Sequence, residues 1–406
     1  MNPKRVAYLA VLAAALGYFV DIYDLILFSV VRKASLLGIG VPDSATLDVG
    51  LSLLNWQMGG MLIGGIIWGI LGDRAGRLSV LFGSIVLYSL ANLVNAGVQS
   101  VGAYAALRLV AGIGLAGELG AGVTLVSELL GRETRGYGTS IVAAVGILGA
   151  VAAVFVADTF DWRTAYVVGG VLGLLLLVLR FSVRESPMFQ AARSSAVRRG
   201  NFLALFTQRR RALRYISAIL VACPIWYVVG LLVTAAPEFA SALGSPYSPR
   251  ADRAVLWTYL GLVFGGLGSG AVSQLLHSRK RAIGIFVGLT ALGCALYFAQ
   301  VAQTLLAFHG LCFGLGVAAG YWAVFITAAA EQFGTNLRAT AATTAPNFVR
   351  GAVVPMTLGF AFFRDRVGLG VVGGGIAVGV IVLGLAFLGV AGLDETFGKD
   401  LDYLEE

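Results

Sequence analysis

Five charged side chains stand well inside apolar runs of this 406-residue chain, away from their ends: Asp21, Asp24, Arg108, Glu118 and Arg350. A charge at the centre of a bilayer costs at least about 2.5–3.5 kcal/mol on insertion scales, so each one asks for a partner or a task. Asp21 and Asp24 are three residues apart and therefore share a helix face. Two carboxylates in a low-dielectric span repel each other, and exchange of a proton relieves the repulsion; that is the chemistry of a proton carrier. Glu118 lies near the middle of its run and could aid them. A direct pair with Arg108 on the same helix is implausible, because ten residues separate them by ~15 Å. Arg350 lies about midway between Arg338 and Arg364, too deep to snorkel. It cannot shed its proton and so requires an anion. That anion is either a span carboxylate such as Asp24 or Glu118, or the substrate. Asn347, Asn55 and Gln57 offer further hydrogen bonds, and Trp226, Tyr227, Tyr321 and Trp322 offer aromatic surface.

The elements that position these residues are membrane helices. The chain is 58% hydrophobic and 12% charged, where a soluble protein carries about 25% charged residues. Twelve apolar runs can be drawn, each near the ~20 residues that a span requires. They cover 6–31, 48–71, 78–98, 103–127, 139–157, 164–183, 213–236, 254–276, 282–302, 304–328, 339–363 and 371–391. Runs nine and ten are parted only by Gln300 and Gln303. Twenty of the 29 Lys and Arg residues, Arg180 at the end of its run among them, are counted on the side of the N-terminus, seven on the other side, and Arg108 and Arg350 deep within runs. This bias places both termini in the cytoplasm. The first run is too long for the apolar core of a signal peptide and long enough to span. The expected fold is all-α, with twelve transmembrane helices in two pseudo-symmetric bundles. The divisions are 1–183 and 213–391 for the bundles, 184–212 for a cytoplasmic linker, partly an amphipathic helix on the bilayer surface, and 392–406 for a cytoplasmic tail. Cys223, Cys294 and Cys312 lie inside apolar runs and suggest neither disulfides nor a metal site. Phosphate loops, zinc spacings and nucleophile elbows are missing, so no enzyme, cofactor or nucleic-acid partner is expected.

The two halves repeat weakly at an offset of 203 residues: Glu128 and Arg135 correspond to Glu331 and Arg338. At the same offset Asp24 corresponds to Tyr227 and Glu118 to Tyr321, so carboxylates in one half face phenols in the other. Between runs two and three stands the tight connection Gly69-Ile-Leu-Gly72-Asp73-Arg74-Ala-Gly76-Arg77. Gly69 and Gly72 allow close helix approach, and Gly76 permits a turn that a Cβ resists. Asp73 could pair with either arginine or cap the next helix.

This connection resembles the loop 2–3 signature of the Major Facilitator Superfamily, with Leu78 where a basic residue is usual. Asp21-Ile-Tyr-Asp24-Leu25 resembles the first-helix motif of aromatic-acid/proton symporters, with Ile22 in place of Gly. Arg108, Gly112, Gly114 and Gly117-Glu118 resemble the superfamily's fourth-helix motif. The interval from Arg338 to Arg350, followed by Pro355, resembles organic-anion and organic-cation carriers, whose anion-transporting members have Arg at the second position. The resemblance implies an importer of a small organic anion, a carboxylate, in symport with protons. Arg350 would bind the carboxylate, with Asn347, Gln57, Asn55, Trp226, Tyr227, Tyr321 and Trp322 around it. Asp24 or Asp21 would carry the proton, with Glu118 aiding. Gly69, Asp73, Arg74, Gly76, Arg77, Glu128, Arg135 and Arg338 would control the conformation. The protein is expected to be a monomer in a bacterial inner membrane. Two rivals are an uncoupled sugar or polyol facilitator and a nutrient receptor that binds without transporting.

Overall fold

The computed structural model describes residues 3–120, 122, 135–180 and 202–399. Among these residues every regular element is helical. The first half contains α1 (Pro3–Gly38), α2 (Thr46–Ala75), α3 (Arg77–Asn95), α4 (Val101–Leu115), α5 (Arg135–Thr159) and α6 (Trp162–Arg180). After a turn at residues 116–117, α4 resumes as far as Gly120. In the second half a seventh span is built from α7 (Arg209–Leu220), α8 (Cys223–Tyr227) and a π-helical turn, Val228–Val233, with α9 (Ala236–Ala242) beyond it. Then come α10 (Ala251–Leu275), α11 (Arg279–Phe298), α12 (Leu305–Ala319), α13 (Trp322–Glu331), α14 (Thr335–Gly351), α15 (Val353–Ala361) and α16 (Gly370–Gly392). Eleven stretches are long and apolar enough to cross a membrane. The remaining crossing is α14 with α15, whose first part is too rich in Thr, Asn and Arg to qualify.

Local chemistry marks several boundaries. Ser100, Ser278 and Thr304 cap α4, α11 and α12 by accepting from backbone N–H groups three residues on. Only Gly76 separates α2 from α3, at φ +101°, a backbone that side chains with a Cβ rarely adopt. The glutamines between runs nine and ten do mark the connection. Gln300 donates to the Leu243 carbonyl and Gln303 donates to the Gln300 carbonyl at 2.6 Å, directly before α12.

Within each half the helices touch backbone to backbone. A Cβ on Gly60, Gly64 or Gly112 would lie 2.1–2.4 Å from a carbonyl oxygen across the α2–α4 crossing. At α10–α12, Gly261, Gly265 and Gly316 stand equally close, at 2.0–2.2 Å. Small residues are what let helices pack in lipid, where apolar burial alone gives no preference. The recurrence near the 203-residue offset makes the two halves structural repeats.

The halves meet where α2 packs on α14 and α15, and where α5 and α1 pack on α10. At the face opposite the chain's ends, charges bridge them. Arg32 reaches Glu238 at 2.5 Å while donating to the Thr46 and Thr234 carbonyls. Arg364 pairs with Asp48 at 2.6 Å, and Arg253 with Asp158 at 2.8 Å. Arg32 is only 2% exposed, so removing Glu238 would strand a buried charge. Glu238→Gln should therefore open this face in a larger fraction of molecules. The check is the spin-label distance between Asp43→Cys and Ser248→Cys in a chain lacking its native cysteines. A longer-distance population is expected. An unchanged distribution in Glu238→Gln and in Arg364→Gln would show that these pairs do not hold the face shut.

Candidate functional site

Arg350 lies in the last turn of α14 and Trp322 begins α13, so both stand where a spanning helix breaks. Breaks of this kind near mid-membrane free backbone groups and mark transporter binding sites. Facing them from the first half is Asp21 on α1. Its Oδ2 lies 3.6 Å from Arg350 Nη2, close enough for an ion pair and too long for a hydrogen bond. Both groups are buried, at 0% and 1% exposure. Neither Asp21 oxygen accepts a hydrogen bond from the protein, and Arg350 Nε and Nη1 donate to nothing. The Arg350 guanidinium sits 5.8 Å from the Trp322 ring centroid, and the Trp322 indole N–H is also without an acceptor. Tyr18 and Tyr259, both buried, complete the electrostatic surroundings of the arginine. Sequence reasoning missed these two tyrosines. Tyr18 lies three residues before Asp21 and so on the same face of α1, a signal that could have found it.

The other predicted residues divide. Asn347 donates to the Ala116 carbonyl at 3.0 Å across the interface and to the Thr343 carbonyl at 3.1 Å; its own oxygen is unpartnered. Asn55 accepts from Thr357 at 2.6 Å, again between the halves. Both are therefore joints between the halves here. Gln57 donates to the Leu25 carbonyl inside the first bundle. Tyr227 and Tyr321 do not present their hydroxyls to the interface. They donate to the Gly375 and Val221 carbonyls, at 2.7 and 2.8 Å, within the second bundle. A buried phenol takes the nearest backbone acceptor, and both rings are fully buried. Trp226 is buried beside Gly230.

Asp21 and Asp24 part company. Asp24 points into the first bundle, where Asp21, Arg108 and Asn92 are its electrostatic neighbours. Neither Asp24 nor Glu118 is the partner of Arg350. Glu118 is engaged by Arg180 through Nη1–Oε1 at 3.0 Å and Nη2–Oε2 at 2.7 Å, and Ser84 donates to it at 2.8 Å. This corrects two expectations. Glu118 is the anion of a two-pronged ion pair in this structure, and Arg180 is a buried bundle residue although it ends its apolar run. The cause is Gly17, where a Cβ would stand 2.1 Å from Arg180 Nη2 and 3.0 Å from Glu118 Oε2. Gly17 makes the space that the pair fills.

Of the conformational motif, Gly69 packs against Thr344 on α14, the side chain of Arg74 is exposed, and Gly76 makes the turn described. Arg338 donates to the Phe333 carbonyl, and Glu331 pairs with Arg279 at 3.5 Å. Glu128 and the side chains of Asp73, Arg77 and Arg135 lie outside the described residues.

Removing one member of a buried ion pair typically costs about 3–5 kcal/mol, whereas replacing both is far milder. Arg180→Ala should therefore lower the melting temperature of the detergent-solubilised protein sharply, and Arg180→Leu with Glu118→Leu should recover most of the loss. A double variant as unstable as the single one would argue against a mutually compensating pair.

Comparison with known proteins agrees with this architecture. The sequence profile of the Major Facilitator Superfamily matches residues 9–351. The 3-(3-hydroxy-phenyl)propionate transporter of Escherichia coli (strain K12) is 29% identical over 300 residues, covering 70% of each chain. The cis,cis-muconate transport protein of Acinetobacter baylyi is 26% identical over 386 residues, covering 90% of each. The solved structure of the proton:xylose symporter XylE bound to 6-bromo-6-deoxy-D-glucose superimposes with a TM-score of 0.75 over 98% of each chain. At 18% identity that is a likeness of fold. The chain is a multi-pass integral membrane protein with the twelve-helix fold, and it belongs to the Major Facilitator Superfamily.

Proposed function

We propose that this protein imports a small organic acid, bound as its carboxylate by Arg350, together with a proton. The observation that carries the reading is the loose Arg350–Asp21 pair between the halves, with donors on the arginine still unspent. A carboxylate ligand would make a bidentate, charge-assisted pair with the guanidinium, the strongest neutral-pH contact such a dry site can offer. The Trp322 ring and the Tyr18 phenol would flank its body, which suits an aromatic or unsaturated acid. The names of the relatives, a hydroxyphenylpropionate and a muconate transporter, point the same way.

Charge balance then supplies the coupling. Arg350 and Asp21 sum to zero. An arriving carboxylate would leave a buried net negative charge unless Asp21 takes a proton, and burying unpaired charge is costly. Ligand binding and protonation of Asp21 therefore favour each other, and linkage makes the effect reciprocal. Rocking of the two halves would carry both across. The bias of Lys and Arg towards the terminal side supports cytoplasmic termini and suits a bacterial inner membrane.

Loss of a buried charge-assisted pair typically costs ~2–5 kcal/mol, or roughly 30- to several-thousand-fold in affinity. Arg350→Ala should lose carboxylate binding by that factor, and Arg350→Lys, which keeps the charge without the fork, should fall between. The check is ligand-induced thermal stabilisation against a panel of carboxylates and a panel of sugars. Full carboxylate affinity in well-folded Arg350→Ala, or stabilisation of the wild type by sugars alone, would refute the reading. Asp21→Asn should bind the carboxylate with little dependence on pH and exchange it in counterflow, yet fail to accumulate it under a pH gradient in proteoliposomes. Unimpaired accumulation would remove Asp21 from the coupling.

A further inference from the structure

The interior of the first bundle holds a second polar cluster that the carboxylate site does not use. Tyr88, Ser89, Asn92 and Asn95 on α3, Asp24 on α1 and Arg108 on α4 are all 0% exposed. Ten of their side-chain polar atoms make no protein hydrogen bond of normal geometry: both oxygens of Asp24, both amide atoms of Asn92 and of Asn95, Ser89 Oγ, the Tyr88 hydroxyl, and Nε and Nη2 of Arg108, although the Asn92 amide and Arg108 lie near enough to Asp24 to act on its carboxylate. Arg108 spends one donor on the Tyr166 hydroxyl, at 3.5 Å, and rests over the Phe28 and Tyr166 rings. Buried polar groups in folded proteins are almost always satisfied, and those that lack a protein partner are satisfied by ordered water.

The cluster is a column. Ser89, Asn92 and Asn95 recur at three-residue spacing, so they wind slowly round α3, about 60° at each step, over about 9 Å of rise, and all three stay buried within the bundle. Helix α6 runs beside it and fixes the order. Arg163 donates to the Ala96 and Val98 carbonyls at the face opposite the chain's ends, at 2.6 and 3.0 Å. Deeper, a Cβ on Gly169 would stand 2.1 Å from Asp24 Oδ1, and one on Gly173 would stand 2.0 Å from Ser89 Oγ. Asn95 therefore lies just beneath that face, Asn92 and Asp24 below it, and Ser89 deeper still. The glycines of α6 give the column its room.

The fold does not demand such a column. At the 203-residue offset the second bundle has Leu292 for Ser89, Ala295 for Asn92, Phe298 for Asn95 and Leu311 for Arg108. Nor does the cluster suit a metal cation, because Arg108 already supplies a fixed positive charge beside Asp24. The ionisable groups around Asp24 are Asp21 and Tyr23 on α1, Tyr88 on α3, Arg108 on α4 and Tyr166 on α6.

We propose that Asn95 and Asn92 hold a chain of water that delivers the proton to Asp24 from the face opposite the termini, through the first bundle and apart from the substrate cavity. A hydronium ion at the mouth gives up its proton, water molecules bridging the two amides pass it on, and an O–H bond forms on the Asp24 carboxylate; that bond then breaks as the proton passes to the neighbouring Asp21 carboxylate, the group whose protonation is linked to the ligand. The amides orient the water and exchange no proton themselves; they are positioning residues. This route rests on the proton-symport reading above.

Two measurements test it. Uptake driven by an inward pH gradient in proteoliposomes should fall at least tenfold in Asn92→Leu with Asn95→Leu, while counterflow exchange stays within about twofold of wild type. Asn92→Ser with Asn95→Ser, which restores hydrogen-bonding groups, should recover much of the driven rate. A merely structural role would depress both readouts together. If the wild type itself gains nothing from a pH gradient, or is driven by sodium instead, the symport reading falls and this route with it. If the wild type is driven and the leucine variant is driven equally, the route alone is wrong. The second measurement needs no variant. Radiolytic hydroxyl footprinting labels side chains beside bound water, so Tyr23, whose ring stands beside Asp24 at Gly169 and whose hydroxyl donates to the Ala165 carbonyl, should be modified in wild type despite its burial. A Tyr23 that stays unlabelled while the half-buried Tyr247 reacts would show the route to be dry and overturn the proposal.

Discussion

Everything in this transporter is arranged around a guanidinium that cannot lose its charge. Arg350 is buried at the junction of two bundles, and its own half supplies no carboxylate for it among the described residues. Asp21 comes from the opposite half and stops at 3.6 Å. A tight pair would seal the junction, and an apolar one would bind no ion. The observed distance compensates the charge and leaves Nε and Nη1 of Arg350 without a protein acceptor.

Glycine makes these charges tolerable, in two physically different ways. At the α2–α4 and α10–α12 crossings it brings backbones into contact. At Gly17 and Gly169 it houses side chains, the Arg180–Glu118 pair in one case and Asp24 in the other. A hydropathy profile cannot tell these uses apart, since each is an unremarked Gly in an apolar run. The second use decides which charges the bundle can bury.

The spans were legible in the sequence because a bilayer imposes length and apolarity on each of them, and the two glutamines before α12 marked even the hardest boundary. The breaks inside spans seven, ten and eleven were not, because they depend on packing between helices. Side-chain direction was the other blind spot. Residues three apart on a helix differ by about 60° in direction, enough to send Asp21 to the interface and Asp24 into the bundle. The offset of 203 nevertheless found a true correspondence. Tyr321 reaches the seventh span at Val221, and Glu118 reaches the first at Gly17, nearly the same place in each repeat. What the offset could not say was that the phenol would be tied to backbone. Arg180 was misplaced for a simpler reason: a charge at the end of an apolar run reads as a loop residue, and only the space at Gly17 draws it inward.

The two repeats share a skeleton and divide the chemistry. Asp24, Asn92, Asn95, Arg108, Glu118 and Arg180 in the first half correspond to Tyr227, Ala295, Phe298, Leu311, Tyr321 and Leu383 in the second. The counterpart of Arg350 in the first half is Ile147. One bundle thus carries the carboxylates and the polar column, and the other carries the fixed cation and the aromatic surface. The division has a mechanical consequence. The Glu118–Arg180 pair lies within one bundle, so rigid motion of the halves leaves its length unchanged. Asp21 and Arg350 stand on opposite bundles, and any rocking alters their separation and with it the need for a compensating proton or anion. A charge pair that crosses between the halves feels such a motion, and among the described residues Asp21 with Arg350 is the buried pair at mid-membrane depth so placed.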